Sequence, residues 1–303
     1  MSGNPDTSDK QGIRIVIDED AGFCSGVRKS VEAAERLLKE GRKVCSLGHI
    51  VHNDLELERL EKLGMRIIGT EDLDALEAGT VVLLRAHGEP PSTYQRLEAA
   101  GIPYIDTTCP IVVKLQDEIG KLRPEDPEHA SVIVYGDPEH PEVISLKGHA
   151  AGEVGVATEA SAIPPESLAA EVYVCSQTTK SRHDYMRFAE ELRVKLAIGG
   201  WNGNLRIRES ACRQVANRVE SLCGFARRND VVIFLAGHES SNGKTLFHVV
   251  SDVNSRSYMV SSPEEIRAEW LSDASSIGIS GATSTPASQL LDAKTRVKAL
   301  VGA

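Results

Sequence analysis

Hydrophobic and polar positions along this 303-residue chain follow two alternating periods. Short apolar runs bounded by glycine or charge predict strands at 13–17, 81–84, 132–134, 172–174 and 231–235. Between them, apolar residues recur three and four positions apart, as at Val27, Val31 and Ala34, and predict helices. Residues 1–12 are expected to form a frayed N-terminus, and 122–129 a polar loop. Strands that alternate with helices favour an α/β fold with parallel sheets.

One pattern of cysteine, helix, strand and polar loop occurs three times. Cys24, Cys109 and Cys212 are each followed three residues later by valine, and each begins a helical stretch. An apolar run ending in glycine follows each helix, and the cysteine and that glycine lie 24, 27 and 25 residues apart. This near-constant spacing predicts three copies of one structural plan.

Each copy also carries polar residues directly after its apolar runs. A polar residue lies four positions beyond each of the three glycines, and a second polar cluster follows a later apolar run. These residues are His52, His140 and Ser241, followed by RAHG with His87, SQTTKS with Thr178 and Thr179, and GATST with Ser284. Because the carboxyl ends of parallel strands lie at one edge of a sheet, the loops of one copy are expected to share an edge.

The repeat predicts three α/β domains, at 13–108, 109–208 and 209–303, the last including a C-terminal tail. If the domains pack around a pseudo-threefold axis as a trefoil, the polar loops and the three repeated cysteines meet at one centre. The alternative is three similar units that merely share a way of packing, with the cysteines as small buried apolar residues.

Composition and charge exclude several classes of protein. The chain has 34 Lys and Arg against 44 Asp and Glu, and its formal charge of −10 disfavours nucleic acid as the main partner. No apolar stretch approaches the roughly 18 to 20 residues that span a bilayer. The opening MSGNPDTSDK lacks the basic and apolar regions of a signal peptide. We therefore expect a cytoplasmic protein with no membrane partner, whose six cysteines are reduced thiols.

The three repeated cysteines predict a metal site with soft ligands. A helix N-terminus stabilises the thiolate, which is the metal-binding form. No close C-x-x-C pair typical of structural zinc occurs, and such distant ligands suit a larger inorganic core. A cubane iron–sulfur cluster with three cysteine ligands fits and leaves one iron open to a substrate oxygen; zinc with three thiolates and a water is the alternative. Cys45, Cys175 and Cys223 are expected to pack in the core.

The polar loops predict a pocket for an anion. Imidazoles, hydroxyls and amides suit a phosphate or diphosphate. The candidates are His52, His87, His140, Thr178, Thr179, Ser240, Ser241, Asn242 and Ser284. Glu142, two residues after His140, is a carboxyl group able to relay protons.

Eight motifs occur in the order typical of one family. They are GFCSGV at 22–27, GHIVHN at 48–53, RAHG at 85–88, DTTCPIVVK at 106–114, HPEV at 140–143, SQTTKS at 176–181, SSN at 240–242 and GATSTP at 281–286. From about Ile13 to Leu291, the chain thereby resembles the 4-hydroxy-3-methylbut-2-enyl diphosphate reductases, the LytB family of the non-mevalonate isoprenoid pathway. The resemblance implies a trefoil of α/β domains around a [4Fe-4S] cluster.

The resemblance also implies a role for each candidate residue. Cys24, Cys109 and Cys212 match the cluster ligands. His52, His87, His140, Ser240, Ser241, Asn242 and Ser284 match the residues that hold the diphosphate, and Thr179 is grouped with them. Glu142 matches the carboxyl group that delivers a proton, with Thr178 beside the substrate hydroxyl and His140 counted in the catalytic group as well.

The activity implied is the reductive removal of the substrate hydroxyl, which yields isopentenyl and dimethylallyl diphosphates. The electrons are expected from a protein such as flavodoxin or ferredoxin. Two alternatives remain: an iron–sulfur hydratase or dehydratase that acts as a Lewis acid on another small anion, and a non-catalytic iron–sulfur sensor. The sequence departs from the family at Val215, where threonine is usual, and at ESAC before the third ligand.

Overall fold

The computed structural model describes residues 12–123 and 128–302. The predicted frayed start lies outside the described residues, apart from its last residue, as does the middle of the predicted loop at 122–129. The side chain of Val215, at which the sequence departs from the family, is also outside the description, together with those of Arg213 and Ala216.

Strands and helices alternate along the described chain. The strands are β1 Arg14–Ile17, β2 Val44–Leu47, β3 Met65–Ile68, β4 Val81–Leu84, β5 Tyr104–Asp106, β6 Ala130–Tyr135, β7 Val154–Ala157, β8 Leu168–Ser176, β9 Asn204–Ile207, β10 Val231–Leu235, β11 Ser257–Val260 and β12 Ser276–Gly281. The helices are α1 Ser25–Lys39, α2 Asp54–Lys62, α3 Pro91–Ala99, α4 Pro110–Gly120, α5 Pro141–His149, α6 Arg182–Ile198, α7 Arg213–Arg227, α8 Ser241–Val253 and α9 Ala287–Val301. All five predicted strands are confirmed. None of these helices is long and apolar enough to cross a bilayer.

The strands form three four-stranded sheets whose pairings are all parallel. The strand orders are β3-β2-β4-β5, β7-β6-β8-β9 and β11-β10-β12-β1. The three orders are the same once β1 is counted as the fourth strand of the last sheet. The predicted α/β class, with three units of one plan, is confirmed.

Two features of the sheets differ from the sequence-based expectation. The apolar runs did not indicate the outer strands β3, β5, β7, β9 and β11, because these strands are short and only partly buried. Strand β1, which the division at 13–108 groups with the first unit, instead pairs with β12, with Arg14 opposite Ser276. Periodicity identifies a strand, but the partner of a parallel strand is decided by long-range packing.

One compact unit of the described chain consists of residues 12–27, 51–59 and 214–302. It contains the sheet β11-β10-β12-β1. Ile233 and Ile279 from the two central strands pack with Leu290 and Val297 of α9. Strand β10, VVIFL, is buried at every position, which is typical of a parallel strand with both faces covered.

The other compact unit consists of residues 28–50 and 60–213 and contains the two remaining sheets. Val132 and Val134 of β6 pack with Leu115 of α4 and Leu146 of α5. The opposite side of the same sheet is covered by α6, whose Phe188 is among the buried residues of a second cluster. Each fully buried aliphatic or aromatic side chain contributes about 1.5 to 3 kcal/mol. These packed helices determine where the loops that follow the strands emerge.

Candidate functional site

The candidate residues lie in loops at the carboxyl ends of neighbouring strands. Strands β6 and β8 are adjacent, as are β10 and β12, and the direction of the chain across the sheet reverses between the members of each pair. Parallel α/β sheets bind ligands at such a switch point. The loops that follow these strands contain 137–140, 177–181, 236–240 and 282–286.

In the unit that contains β10 and β12, hydroxyl and amide groups meet at the start of α8. The Ser240 Oγ accepts a hydrogen bond of 3.0 Å from Gly243 N and so caps the helix, and it lies 3.4 Å from the Ser284 Oγ. The Asn242 Oδ1 accepts hydrogen bonds from Thr283 N and Oγ1, at 3.2 and 2.8 Å. The predicted residues Ser240, Asn242 and Ser284 are thus close together and buried.

The amide nitrogen of Asn242 is a hydrogen-bond donor that takes no part in these two bonds. It is buried, and no hydrogen-bond partner for it occurs among the residues that the structure describes. A buried donor left unsatisfied costs about 1 to 3 kcal/mol. The cost is removed when an anion accepts the bond at this helix N-terminus, where the helix dipole also favours negative charge.

Cys24 lies beside these loops. Its backbone N donates a hydrogen bond of 3.0 Å to Thr283 O, and its half-buried thiol accepts from Val27 N at 3.5 Å. The thiol is therefore at the start of α1, as the repeat predicted. Donation from a helix N–H group stabilises a thiolate.

His52 approaches the same loops in this unit. A Cβ atom on Gly237 would lie 2.6 Å from His52 O, so the two backbones are in direct contact. Only glycine permits this close approach. The next residue, Asn53, is bonded through its side chain to Gln289 of α9.

In the other unit, Glu142 and Thr178 form a buried pair. The Glu142 side chain is 1% exposed, and its two oxygens accept hydrogen bonds from Thr178 N at 2.6 Å and Thr178 Oγ1 at 2.8 Å. Burial raises the pKa of Glu142 to about 7, although the two bonds from Thr178 act in the opposite direction. The carboxyl group can therefore both hold and release a proton near neutral pH.

Two histidines lie next to this pair. His140 is the N-cap of α5, and its Nδ1 accepts a hydrogen bond of 3.2 Å from Glu142 N. The rings of His87 and His140 are in edge-to-face contact, with their centroids 5.1 Å apart. Thr179, also predicted, is half-buried and accepts from Gln177 Nε2 at 2.7 Å.

Cys109 and Cys212 both belong to this unit and are near one another. Cys109 is the N-cap of α4, and the Cys212 N donates a bond of 2.9 Å to Thr178 O. Burial raises the pKa of the Cys109 thiol, the N–H groups of Ile111 and Val112 lower it, and the neighbouring charges of Cys212 and Glu142 raise it again. These effects place two thiols and one carboxyl group within electrostatic reach of each other.

The other three cysteines have different surroundings. Cys45 on β2 and Cys175 on β8 are buried, and burial raises the pKa of both thiols. Core packing is confirmed for these two. Cys223 lies on α7 but is only half-buried, so its predicted core position is wrong. A helix side can be half-covered, whereas a central strand is covered on both faces.

Sequence reasoning missed several residues that hold the site in place. Ser210 is buried, and its Oγ accepts from Ser176 N at 2.6 Å and donates to Ser176 O at 3.0 Å, which joins the segment before Cys212 to the end of β8. Ser210 is part of ESAC, where a departure from the family was noted, so a hydroxyl is still present there. Gln116 of α4 donates to Ser145 of α5 at 2.6 Å. In the sequence, Gln116 and Ser145 are recognisable only as polar residues on otherwise apolar helix faces.

The thiols fit the cluster that the sequence predicts. Each of the three repeated cysteines is half-buried and lies at a helix start, where N–H groups favour the ligating thiolate, although burial raises the pKa of Cys109 overall. Two of them influence each other electrostatically, as expected for thiols that face a common cation. The assignment of these cysteines and of the surrounding site residues stays a prediction.

Comparisons with known proteins agree on one family. The family model described as LytB protein matches residues 15–298. A 4-hydroxy-3-methylbut-2-enyl diphosphate reductase of Porphyromonas gingivalis is 40% identical over 293 residues, which cover 95% of this chain and 100% of that protein. The reductase of Bacteroides thetaiotaomicron is 38% identical over 275 residues, 90% of this chain and 94% of that protein.

A solved structure supports the same relationship. It is of (E)-4-hydroxy-3-methyl-but-2-enyl diphosphate reductase, the terminal enzyme of the non-mevalonate pathway. It is similar to this chain with a TM-score of 0.70 and 32% sequence identity, over 94% of this chain and 99% of that one.

Proposed function

Because the chain belongs to the LytB protein family, we propose that it reductively removes the hydroxyl group of 4-hydroxy-3-methylbut-2-enyl diphosphate, giving isopentenyl and dimethylallyl diphosphates. The observation that supports this reaction most is the buried Glu142–Thr178 pair beside the thiols of Cys109 and Cys212. Loss of a hydroxyl as water needs a proton, and a buried carboxyl group with a pKa of about 7 can supply one.

The cofactor of this reaction is a [4Fe-4S] cluster held by Cys24, Cys109 and Cys212. The donor set supports it, since all three thiols are half-buried and lie at helix starts. Bound by these residues, the cluster would supply electrons and a Lewis acid for the substrate hydroxyl. Cys45 and Cys175 lie inside their sheets and have no part in it.

The diphosphate is bound by the polar loops. Ser240, Asn242 and Ser284 present hydroxyl and amide groups at the N-terminus of α8, where backbone N–H groups and the helix dipole attract an anion. Ser241, the first residue of this helix, belongs to the same set. His52, His87 and His140 supply imidazole donors. Thr179, in the loop after β8, supplies a further hydroxyl.

The proton is delivered from Glu142. Since its pKa is about 7, the protonated form is well populated at neutral pH. The Thr178 hydroxyl, 2.8 Å from Glu142 Oε2, can rotate to accept this proton and pass its own to the departing hydroxyl of the substrate. His140 accepts from Glu142 N and fixes the start of the helix that carries the carboxyl group.

The electron donor, the cellular compartment and the domain division complete the proposal. Replacement of the hydroxyl by hydrogen consumes two electrons and two protons, one proton to release water and one to protonate the carbon. An electron-transfer protein such as flavodoxin or ferredoxin supplies the electrons. The enzyme acts in the cytoplasm. Its domains are 13–108, 109–208 and 209–303, a division supported by the common strand order, with β1 as the strand that crosses it.

Anaerobic purification with iron and sulfide analysis, followed by an assay on the allylic diphosphate, tests this function. We expect about four irons per chain and formation of both products only when a reductant such as reduced methyl viologen is present. Turnover without reductant would indicate the Lewis-acid hydratase or dehydratase. A bound cluster without any turnover on the diphosphate would indicate the sensor. Either result would refute the reductase.

A further inference from the structure

Two buried amide side chains are bonded to each other in the unit that contains His52. The Asn53 Nδ2 donates a hydrogen bond of 2.8 Å to Gln289 Oε1, and the Gln289 Nε2 donates one of 2.8 Å back to Asn53 Oδ1. The two residues are 236 positions apart in the chain, and both are buried. Two parallel bonds fix the distance and the rotation of one side chain relative to the other.

Asn53 also ends the loop that contains His52. Its backbone O accepts from Leu57 N and its Oδ1 accepts from Glu56 N, each at 3.0 Å, so Asn53 caps α2. With the bond from Gln289, Oδ1 accepts twice, while one donor hydrogen of Nδ2 is used by Gln289. Asn53 therefore has little rotational freedom, and His52 precedes it directly.

Gln289 is placed by the loop that carries Ser284. It is the third residue of α9, five positions after Ser284. His52 O, on its other side, is pressed against Gly237 in the loop that leads to Ser240. The His52 backbone is thus held between two of the loops that bind the diphosphate in the proposed function.

We propose that Gln289 is a positioning residue that acts through Asn53 to hold His52 in register with the Ser284 loop for diphosphate binding. This inference rests on the proposed function of the site. A pair of apolar side chains would fill the same space without the desolvation cost of two amides. The bonded amides instead provide directional constraints, which a loop carrying a ligand-binding side chain requires.

Gln289→Met tests the inference because methionine retains the length of the side chain and loses both hydrogen bonds. We expect the KM for the allylic diphosphate to rise about tenfold, the effect of losing about 1.4 kcal/mol of hydrogen bonding, with kcat changed less than twofold. The affinity of the cluster-loaded enzyme for inorganic diphosphate, measured by calorimetry, should fall by the same factor. Ser288→Ala, at the exposed preceding position, is the matched control and should change neither.

A double-mutant cycle with His52→Ala separates positioning from general destabilisation. If Gln289 acts through His52, Gln289→Met adds less than a twofold further loss of diphosphate affinity in the His52→Ala background. An unchanged tenfold loss in that background, or unchanged affinity in the single variant, would overturn the inference.

A second variant covers the case in which Gln289→Met does not fold. Asn53→Asp keeps the cap of α2 and the bond from Gln289 Nε2 but sets a carboxylate oxygen against Gln289 Oε1 in place of the other bond, so the KM is expected to rise at least as much as in Gln289→Met; wild-type affinity would contradict the role. Failure of the proposed function is distinguishable, because wild-type enzyme would then bind diphosphate without reducing the allylic substrate.

Discussion

The loops after β10 and β12 and the loops after β6 and β8 follow equivalent strands of equivalent sheets, yet they carry different chemistry. The first pair brings together hydroxyls and an amide, at Ser240, Ser284 and Asn242. The second brings together a carboxyl group and a hydroxyl, at Glu142 and Thr178, with the thiol of Cys109 within electrostatic reach of Glu142. One scaffold therefore provides neutral donors in one copy and titratable groups in another.

The difference follows from what each group must do. A permanent anion is bound well by neutral donors at a helix N-terminus, because such donors keep their state at every physiological pH. A proton donor must change its state and therefore needs an environment that shifts its pKa. Burial of Glu142 in the second copy provides that shift.

The largest expected effect comes from a change of one repeated thiol. Cys212→Ser should lose the cluster and with it all reductase activity, since serine is a poor ligand for iron of this type. Iron and sulfide analysis after anaerobic purification measures the loss. Cys223→Ser, on the half-buried side of α7, is the matched control and should retain both. A full complement of iron in Cys212→Ser would exclude this thiol as a ligand.

Glu142→Gln should separate the two chemistries. The amide retains the size of the side chain but cannot deliver a proton, so kcat should fall by about 10² to 10⁴, while iron content and diphosphate binding are retained. Steady-state kinetics with a chemical reductant checks this. Glu139→Gln, exposed in the preceding loop, should be unaffected. Unchanged turnover in Glu142→Gln would refute the proton role.

Asn242→Ala should produce the opposite pattern. Loss of a hydrogen bond to a charged group costs about 1.5 to 3 kcal/mol, so the KM should rise about 10- to 100-fold with little change in kcat. Titration with inorganic diphosphate measures the affinity without turnover. A fall in kcat with unchanged affinity would show that the two copies are not divided between binding and proton transfer.

The pH dependence of proton transfer should come from the second copy. Because Glu142 must be protonated to act and its pKa is raised to about 7, kcat/KM should fall with increasing pH above this value, approaching tenfold per unit. Thr178→Val removes the hydroxyl that relays the proton and whose bond lowers the pKa of Glu142, so kcat should fall and the pH dependence of the remaining activity should move to higher pH. Asn242→Ala should leave the profile in place. A profile that is flat between pH 6 and 9 would contradict the assignment.

Much of the fold and of the candidate site was predictable from local patterns. The apolar periods located the central strands and the helices that follow the repeated cysteines, and the near-constant interval from Cys24, Cys109 and Cys212 to the next strand-ending glycine revealed the repeat. These signals are local because strand and helix periodicity, and the position of a residue at a helix start, depend on neighbours in sequence. The motifs were sufficient to identify the family.

Other properties depended on residues far apart in the chain. The pairing of β1 with β12 and the bonds between Asn53 and Gln289 join segments more than two hundred residues apart. The raised pKa of Glu142 arises from burial, which no sequence pattern measures. Sequence determined which side chains this protein has at the ends of its strands, and tertiary packing decided their neighbours and their protonation, because both depend on which surfaces lose contact with water.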